Sequence, residues 1–410
     1  MDRRLLRRSY LRGQAAVVGG HQLQTRASVI HTKRVEQAYR ESFICNKTPH
    51  RGLFNMTRAY TMPKKIKQTE NWETLAKFVG VDYHKRSSLV SIGDAEANCL
   101  LQNRIPNDEA AIRELFQRLP AGTPCAIESC RGYEWLIDLL TDIGIKVHVA
   151  NARGVKLIAQ TRCKTDKVDS RVLMELLAKG FLPTCYQPTA AERSLRERLR
   201  WRAQLVRTCT KFKNMVHALL DKENKGFESP FSVKGRKRLS EVELLADRAE
   251  LVGEHLNVID FFDNVLGNES AWIRSLTAEL PEASLLKTVP GVGDIVSLMF
   301  IAEVGDVSRF RNASAVSAFL GLVPSVYSSG EKHRTGRITK MGCRLLRWLL
   351  IQSAWQAIKK SDGLRARFNK ISRRTGKRKA IVAIARKLAE ICYRVLKDRT
   401  VFDEKKWALG

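Results

Sequence analysis

Lys164-Thr165-Asp166-Lys167-Val168-Asp169-Ser170-Arg171 sets two carboxylates three residues apart at the mouth of a run of good helix formers, Val172-Leu173-Met174-Glu175-Leu176-Leu177-Ala178-Lys179, which stops at Gly180. Positions i and i+3 share a helix face, so both Asp belong to one side of one predicted helix. Taken alone, the stretch needs no more than a capping explanation. Asp166 as N-cap and Asp169 at the third helical position are both favoured by the helix dipole, and Gly180 suits the residue beyond the last turn. Two further acids change the balance. Asp82 and Glu128 upstream each close an apolar run that reads as a strand.

Working back from that helix, Lys77 to Asp82, Ser88 to Ile92 and Ala97 to Leu101 read as three strands with short spacers, an antiparallel meander. A helix over Asp108 to Phe116, capped by Asn107, follows. Then come a strand at Cys125 to Glu128, a helix near Tyr133 to Thr141 and a strand at Ile145 to Val149. The order β-β-β-α-β-α-β-α predicts an α/β domain with parallel strands and crossover helices after the third strand. The carboxyl edge of parallel strands is where such sheets place their sites. Asp82, Glu128, Asp166 and Asp169 would converge there. Four converging carboxylates raise one another's pKa and repel unless cations compensate. Mg²⁺ takes oxygen ligands together with substrate phosphate, and two such ions roughly 4 Å apart can hold the attacking and leaving oxygens of a phosphoryl transfer.

The chain has 410 residues, enough for two or three domains with cores of their own. Lys plus Arg number 72 against 42 Asp plus Glu, a net charge of +30 that repels itself and calls for a polyanionic partner. No run approaches the roughly 18 consecutive apolar residues of a membrane span, so a soluble protein with no membrane partner is expected. Nine Cys are scattered with no C-x-x-C pair, which predicts reduced thiols in a cytoplasmic protein and neither zinc nor a disulfide framework.

The flanks differ in character. Residues 1–72 are basic and acid-poor, without apolar periodicity, and read as a disordered extension; a transit peptide and an over-long reading frame with its natural start at Met62 are both compatible with that composition. The α/β domain is expected over 73–185. A helical arm over 186–282 follows, with long helices at Ser194 to Leu220 and Val242 to Leu280 around a Gly, Pro and Ser-bearing break; a plain linker and a coiled-coil dimer interface both fit its imperfect heptads. A mainly helical, basic domain is expected over 283–400, with a tail at 401–410. Pro290-Gly291-Val292-Gly293 before an apolar helix resembles a helix-hairpin-helix turn, whose backbone N–H groups can hold a phosphate, and equally serves as a plain helix entry. From Glu331 to Arg399 there are 21 Lys or Arg against four acids, a polyphosphate footprint. Lys332, Arg334, Arg337 and Lys340, and the cluster Arg373, Arg374, Lys377, Arg378 and Lys379, are the candidate nucleic-acid contacts.

The G-V-D at Gly80 to Asp82, I-E-S at Ile127 to Ser129, K-T-D-x-x-D-S-R at Lys164 to Arg171, P-G-V-G at Pro290 to Gly293 and Y-x-S-G at Tyr327 to Gly330 together resemble the DEDD transposases of bacterial insertion sequences. The resemblance runs from about Lys77 to Arg399. It implies an RNase H-like (RuvC-like) domain joined to a C-terminal transposase domain, acting in a bacterial cytoplasm on the nucleoid. It implies recombination of double-stranded element ends and target by a dimer or tetramer, guided by a structured bridge RNA. Asp82, Glu128, Asp166 and Asp169 match the family's metal-binding tetrad. Ser329 matches its serine, which attacks the DNA phosphate; the last domain would then have to fold back over the first. From the residues alone Ser329 is an ordinary turn residue, and Ser328 beside it keeps the choice of hydroxyl open. Two other readings compete: a junction-resolving metal nuclease that uses the tetrad without Ser329, and a non-catalytic DNA- or RNA-binding protein in which the acids only cap helices.

Overall fold

The computed structural model describes residues 72–158, 166–329 and 332–407. The expectations placed on residues 1–71 lie outside this range. The chain forms two compact units that divide between Gln187 and Pro188.

In the first unit a short helix α1 (Trp72–Leu75) leads into strands β1 (Phe78–Tyr83), β2 (Ser87–Gly93) and β3 (Cys99–Pro106), helix α2 (Glu109–Phe116), strand β4 (Pro124–Glu128), helix α3 (Glu134–Ile143), strand β5 (Lys146–Ala150), and helices α4 (Ala152–Ile158) and α5 (Asp166–Ala178). The sheet order is β3-β2-β1-β4-β5, with β1, β2 and β3 antiparallel and β1, β4 and β5 parallel. The expected meander and crossovers are present. Helices α1 and α4 are additions to the elements expected from sequence. Trp72, at the end of the expected extension, is 3% exposed and lies under the Arg118 guanidinium, 5.0 Å from its ring centroid.

One cap differs from expectation. Asp108, not Asn107, caps α2, its carboxylate accepting from the Ala111 N–H at 2.9 Å. Asn107 is taken up by the sheet edge: its amide donates to the His84 carbonyl at 2.5 Å and its oxygen accepts from the Ser88 hydroxyl at 2.7 Å.

Helix α5 packs across β1 and β2 because glycine permits it. A Cβ at Gly80 would collide with the Ser170 carbonyl oxygen and stand 2.6 Å from the Met174 nitrogen. Both obstacles are backbone and cannot swing away. Gly80→Ala should therefore cost about 1–3 kcal/mol through overpacking. A lowered midpoint in thermal unfolding of the full chain checks this, and an unchanged midpoint would mean that α5 can be displaced cheaply. The helix closes as expected, with Gly180 at φ +70° and the Phe181 N–H bonded to the Leu176 carbonyl at 2.9 Å.

In the second unit two long helices, α6 (Ala190–Asp221) and α8 (Ala246–Glu279), flank a short α7 (Val233–Ser240). They run antiparallel, since Arg198 pairs with Glu269, Lys213 with Asp263 and Arg248 with Glu223. At one end Arg198 grips Glu269 with two 2.9 Å bonds while lying 3.6 Å from the Trp272 ring centroid, and Arg200 reaches the buried Glu303 at 2.5 Å. There the pair shares one apolar core with helices α9 (Pro281–Lys287), α10 (Asp294–Val304), α11 (Ala313–Phe319), α12 (Arg344–Lys360), α13 (Asp362–Thr375) and α14 (Lys377–Asp398). A hairpin of β6 (Pro324–Ser329) and β7 (Lys332–Ile338) precedes α12, and α15 (Glu404–Trp407) follows α14. Gly291, at φ +79°, presses on α12, where a Cβ would collide with the Ser353 carbonyl. Close packing thus explains this glycine without a ligand. No helix among the described residues is long and apolar enough to cross a membrane, and the described cysteines are all unbridged.

Candidate active site

Strands β1 and β4 pair in parallel with Gly80 opposite Ala126 and Val81 opposite Ile127. Continuing that register by one residue sets Asp82 beside Glu128 at the carboxyl edge. Side chains alternate along a strand, so Asp82 shares the face of Gly80, and Glu128 the face of Ala126. Gly80 is the residue that α5 presses upon, and Ala126 packs in one cluster with Leu173 of α5. Both acids therefore lie on the face that α5 covers.

The direction of α5 decides whether its own acids join them. Ser170 bonds Ser91, the partner of Gly80, at 2.9 Å between hydroxyls, while Met174 sits against Gly93, the partner of Phe78. The helix thus runs opposite to β1, and its first turn, with positions 166 and 169, lies toward the end of β1 that carries Asp82. Asp169 is half-buried; the side chain of Asp166 is outside the described residues.

Asp82 is 14% exposed and holds a contact that the sequence motifs do not show: its Oδ2 lies 3.1 Å from Nε2 of His84. The available signal is a His two residues after a strand-end Asp. The thiol of the exposed Cys130 is pushed up to about 11, first by burial and then by the carboxylates of Glu128, Asp82 and Glu134. One thiol thus feels both strand-end carboxylates. Tyr83 and Trp135 complete the edge, the indole N–H donating to the Tyr83 hydroxyl at 2.9 Å.

Among the described residues, no group of three or more His, Cys, Asp or Glu side chains is placed to hold a metal ion. The donors present, Asp82, Glu128 and Asp169, are all carboxylates. Oxygen donors of this kind fit a hard divalent cation and do not suit a soft one.

Ser329 belongs to the other unit. It is the last residue of β6 and pairs with Lys332, while Ser328 pairs with His333. Where the sequence suggests a turn residue, Ser329 stands instead at the strand end that leads into the hairpin connection. The side chains of Lys332 and Arg334 lie outside the described residues, whereas Arg337 and Lys340 are exposed.

The sequence pattern of a DEDD transposase of the IS110 type matches residues 79–224, which include all four acids, and that of the Transposase IS116/IS110/IS902 family matches residues 283–369, which include Ser329. The chain belongs to the DEDD-type insertion-sequence transposases. It is 26% identical over 339 residues to the transposase for insertion sequence element IS1328 of Yersinia enterocolitica, covering 80% of this chain and 98% of that protein. It is likewise 26% identical over 288 residues to the transposase for element IS1111A of Coxiella burnetii, covering 66% of this chain and 76% of the relative. A pilin gene-inverting protein of Moraxella bovis shares 33% identity over 129 residues, 30% of this chain and 39% of that protein. This transposase is therefore a DNA-recombining enzyme.

The basic cluster of the transposase straddles the junction of α13 and α14. Arg373, Arg374, Lys377, Arg378 and Lys379 are all exposed around Gly376, which is at φ +84°. Three of these cations occupy the first turn of α14, the positive end of its dipole, where no side chain caps the helix. That arrangement repels itself and is relieved by an anion. Replacing Arg373, Arg374, Lys377 and Arg378 by Ala should weaken binding to unrelated DNA sequences about equally. It should also flatten the log-log salt dependence by roughly 0.7 to 0.9 for each phosphate no longer neutralised. A salt titration with an unchanged slope would show that the cluster contacts no phosphate.

Proposed function

We propose that the transposase cuts and rejoins DNA by metal-assisted phosphoryl transfer, with the Ser329 hydroxyl as nucleophile and a structured bridge RNA choosing the sites, working as a dimer or tetramer. The observation that carries the reading is the β1–β4 register, which sets Asp82 beside Glu128 on the face crossed by the helix that carries Asp166 and Asp169. Mg²⁺ held there would neutralise the phosphate and lower the pKa of an attacking hydroxyl. Asp82, Glu128 and Asp169, with Asp166, are the groups that would hold it in an RNase H-like domain. His84 positions Asp82 by a direct contact.

The chemistry asked of Ser329 is an exchange of phosphoesters. Its Oγ–P bond forms as the bond to the leaving strand oxygen breaks, the serine proton passes to solvent or a base, and the leaving oxygen takes up a proton. Rejoining reverses the step with a new strand end. The similarity to a protein named for inverting a gene supports this over hydrolysis, because inversion must restore every broken strand and a phosphoserine link conserves the bond energy for that purpose. An assay on supercoiled DNA that carries the element ends, with Mg²⁺ and with the RNA that co-purifies, tests the proposal. Recombination that requires both supports it. Nicked DNA that is never rejoined would replace it with a nuclease, and full activity after ribonuclease treatment would remove the guide.

A further inference from the structure

Helix α12 carries a stripe that neither the core nor the candidate site uses. Arg344, Trp348, Gln352, Trp355 and Lys359 follow one another at intervals of 4, 4, 3 and 4 residues, one face of an α-helix, and all are exposed. Trp348 is 54% exposed and Trp355 37%, whereas Leu346, Leu350, Ala354 and Ala357 bury the opposite face. The Trp355 ring is held edge-on by Phe368 at 5.8 Å between centroids. Its orientation is therefore set before any ligand arrives.

The charge around the stripe selects its partner. Helix α12 has no acidic residue, and the single acid of α13, Asp362, is paired with Arg365 at 3.1 Å. An apolar protein surface laid on the two indoles would strip water from Arg344 and Lys359 without pairing them. A nucleic-acid strand satisfies both halves, since bases stack on indoles and phosphates meet the cations. Seven residues separate the tryptophans, about 10.5 Å along the helix at 1.5 Å per residue, the length of roughly three stacked bases. In a duplex the base faces are hidden in the stack, so the strand must be unpaired.

We propose that this face of α12 is a stacking platform for an unpaired stretch of nucleic acid, about three bases long, clamped by Arg344 and Lys359. The inference rests on the DNA-handling function of the family and is independent of the carboxylate tetrad and of Ser329. The strand is DNA, a melted end of the substrate, because DNA recombination is the activity of the family; a loop of RNA is an outcome of the test.

Full-length protein is titrated into labelled oligothymidylate, oligouridylate and a DNA duplex, with anisotropy as the readout. Trp348→Ala and Trp355→Ala should each weaken single-strand binding about 10-fold, leaving duplex affinity and the salt slope unchanged. Trp348→Phe and Trp355→Phe should restore most of the loss. Arg344→Ala with Lys359→Ala should instead flatten the single-strand salt slope by roughly 0.7 for each phosphate no longer neutralised. The larger loss is expected on oligothymidylate; a larger loss on oligouridylate would overturn the DNA assignment in favour of RNA. Equal losses on duplex and single strand, no loss in a variant with unaltered thermal unfolding, or a change of oligomeric state in place of affinity would overturn the platform. Unchanged single-strand affinity with intact recombination would do so while leaving the transposase reading in place.

Discussion

Asp82→Asn and Glu128→Gln should each reduce strand transfer by ~1,000-fold or more, while the affinity for DNA stays within experimental error of the parent. A divalent cation contributes several kcal/mol of charge stabilisation to a phosphoryl transition state, and each 1.36 kcal/mol is tenfold in rate. The amide replacements keep size and shape, and remove the charge that would bind the cation. Asp166→Asn and Asp169→Asn should behave alike, because the first turn of α5 lies toward the same sheet edge. His84→Ala supplies the graded comparison. His84 touches Asp82 at 3.1 Å and would act on a bound cation only through it, so its loss should cost on the order of 10- to 100-fold. The measurements are recombination rate over a range of Mg²⁺ concentrations and binding by anisotropy. Strand transfer retained by Asp82→Asn or Glu128→Gln at ordinary Mg²⁺ would end the tetrad assignment. Loss of DNA binding in step with activity would mean that the substitutions damage the fold.

The second large effect concerns the nucleophile. If the Ser329 Oγ attacks the phosphate, the protein becomes covalently joined to one DNA strand end whenever cleavage is trapped before rejoining. Ser329→Ala should lose both the adduct and recombination completely, with folding and cation binding by the carboxylates unaffected. Ser328→Ala is the control. It is the adjacent residue of the same strand, paired with His333 where Ser329 pairs with Lys332. A stalled reaction on end-labelled DNA, denatured and digested, yields the modified peptide for mapping. An adduct on Ser328 or Tyr327, or cut ends that carry no peptide, would overturn the assignment of Ser329.

Much of this protein is written in local pattern, and local pattern is what a sequence displays. The short apolar runs of β1 and β4, the helix formers after Asp169, the closing Gly180 and the basic density after Glu331 are all readable without a fold, because each depends on neighbours a few residues away. Strand-end acids at Asp82 and Glu128 were legible for the same reason. The choice of cap at α2 was not, since it turned on His84 and Ser88, distant residues that occupy Asn107 and leave the cap to Asp108.

The tertiary structure alone decided which residues meet. The sequence by itself determined an α/β unit followed by a basic helical one, four acids in a fixed order, and Ser329 ahead of a cationic segment. It carried neither the pairing of Gly80 with Ala126 nor the direction of α5, and those two facts set residues 82 and 128 at one edge and turn the first turn of α5 toward it. The direction is set by close approach: backbone of α5 fills the space that a side chain at Gly80 would take, and Met174 fills that at Gly93. The tryptophans of α12 follow the same rule. Their spacing is visible in the sequence, but a stripe at helical spacing reads as core until the packing of Leu346, Leu350 and Ala354 shows which face is buried and leaves Trp348 and Trp355 in water.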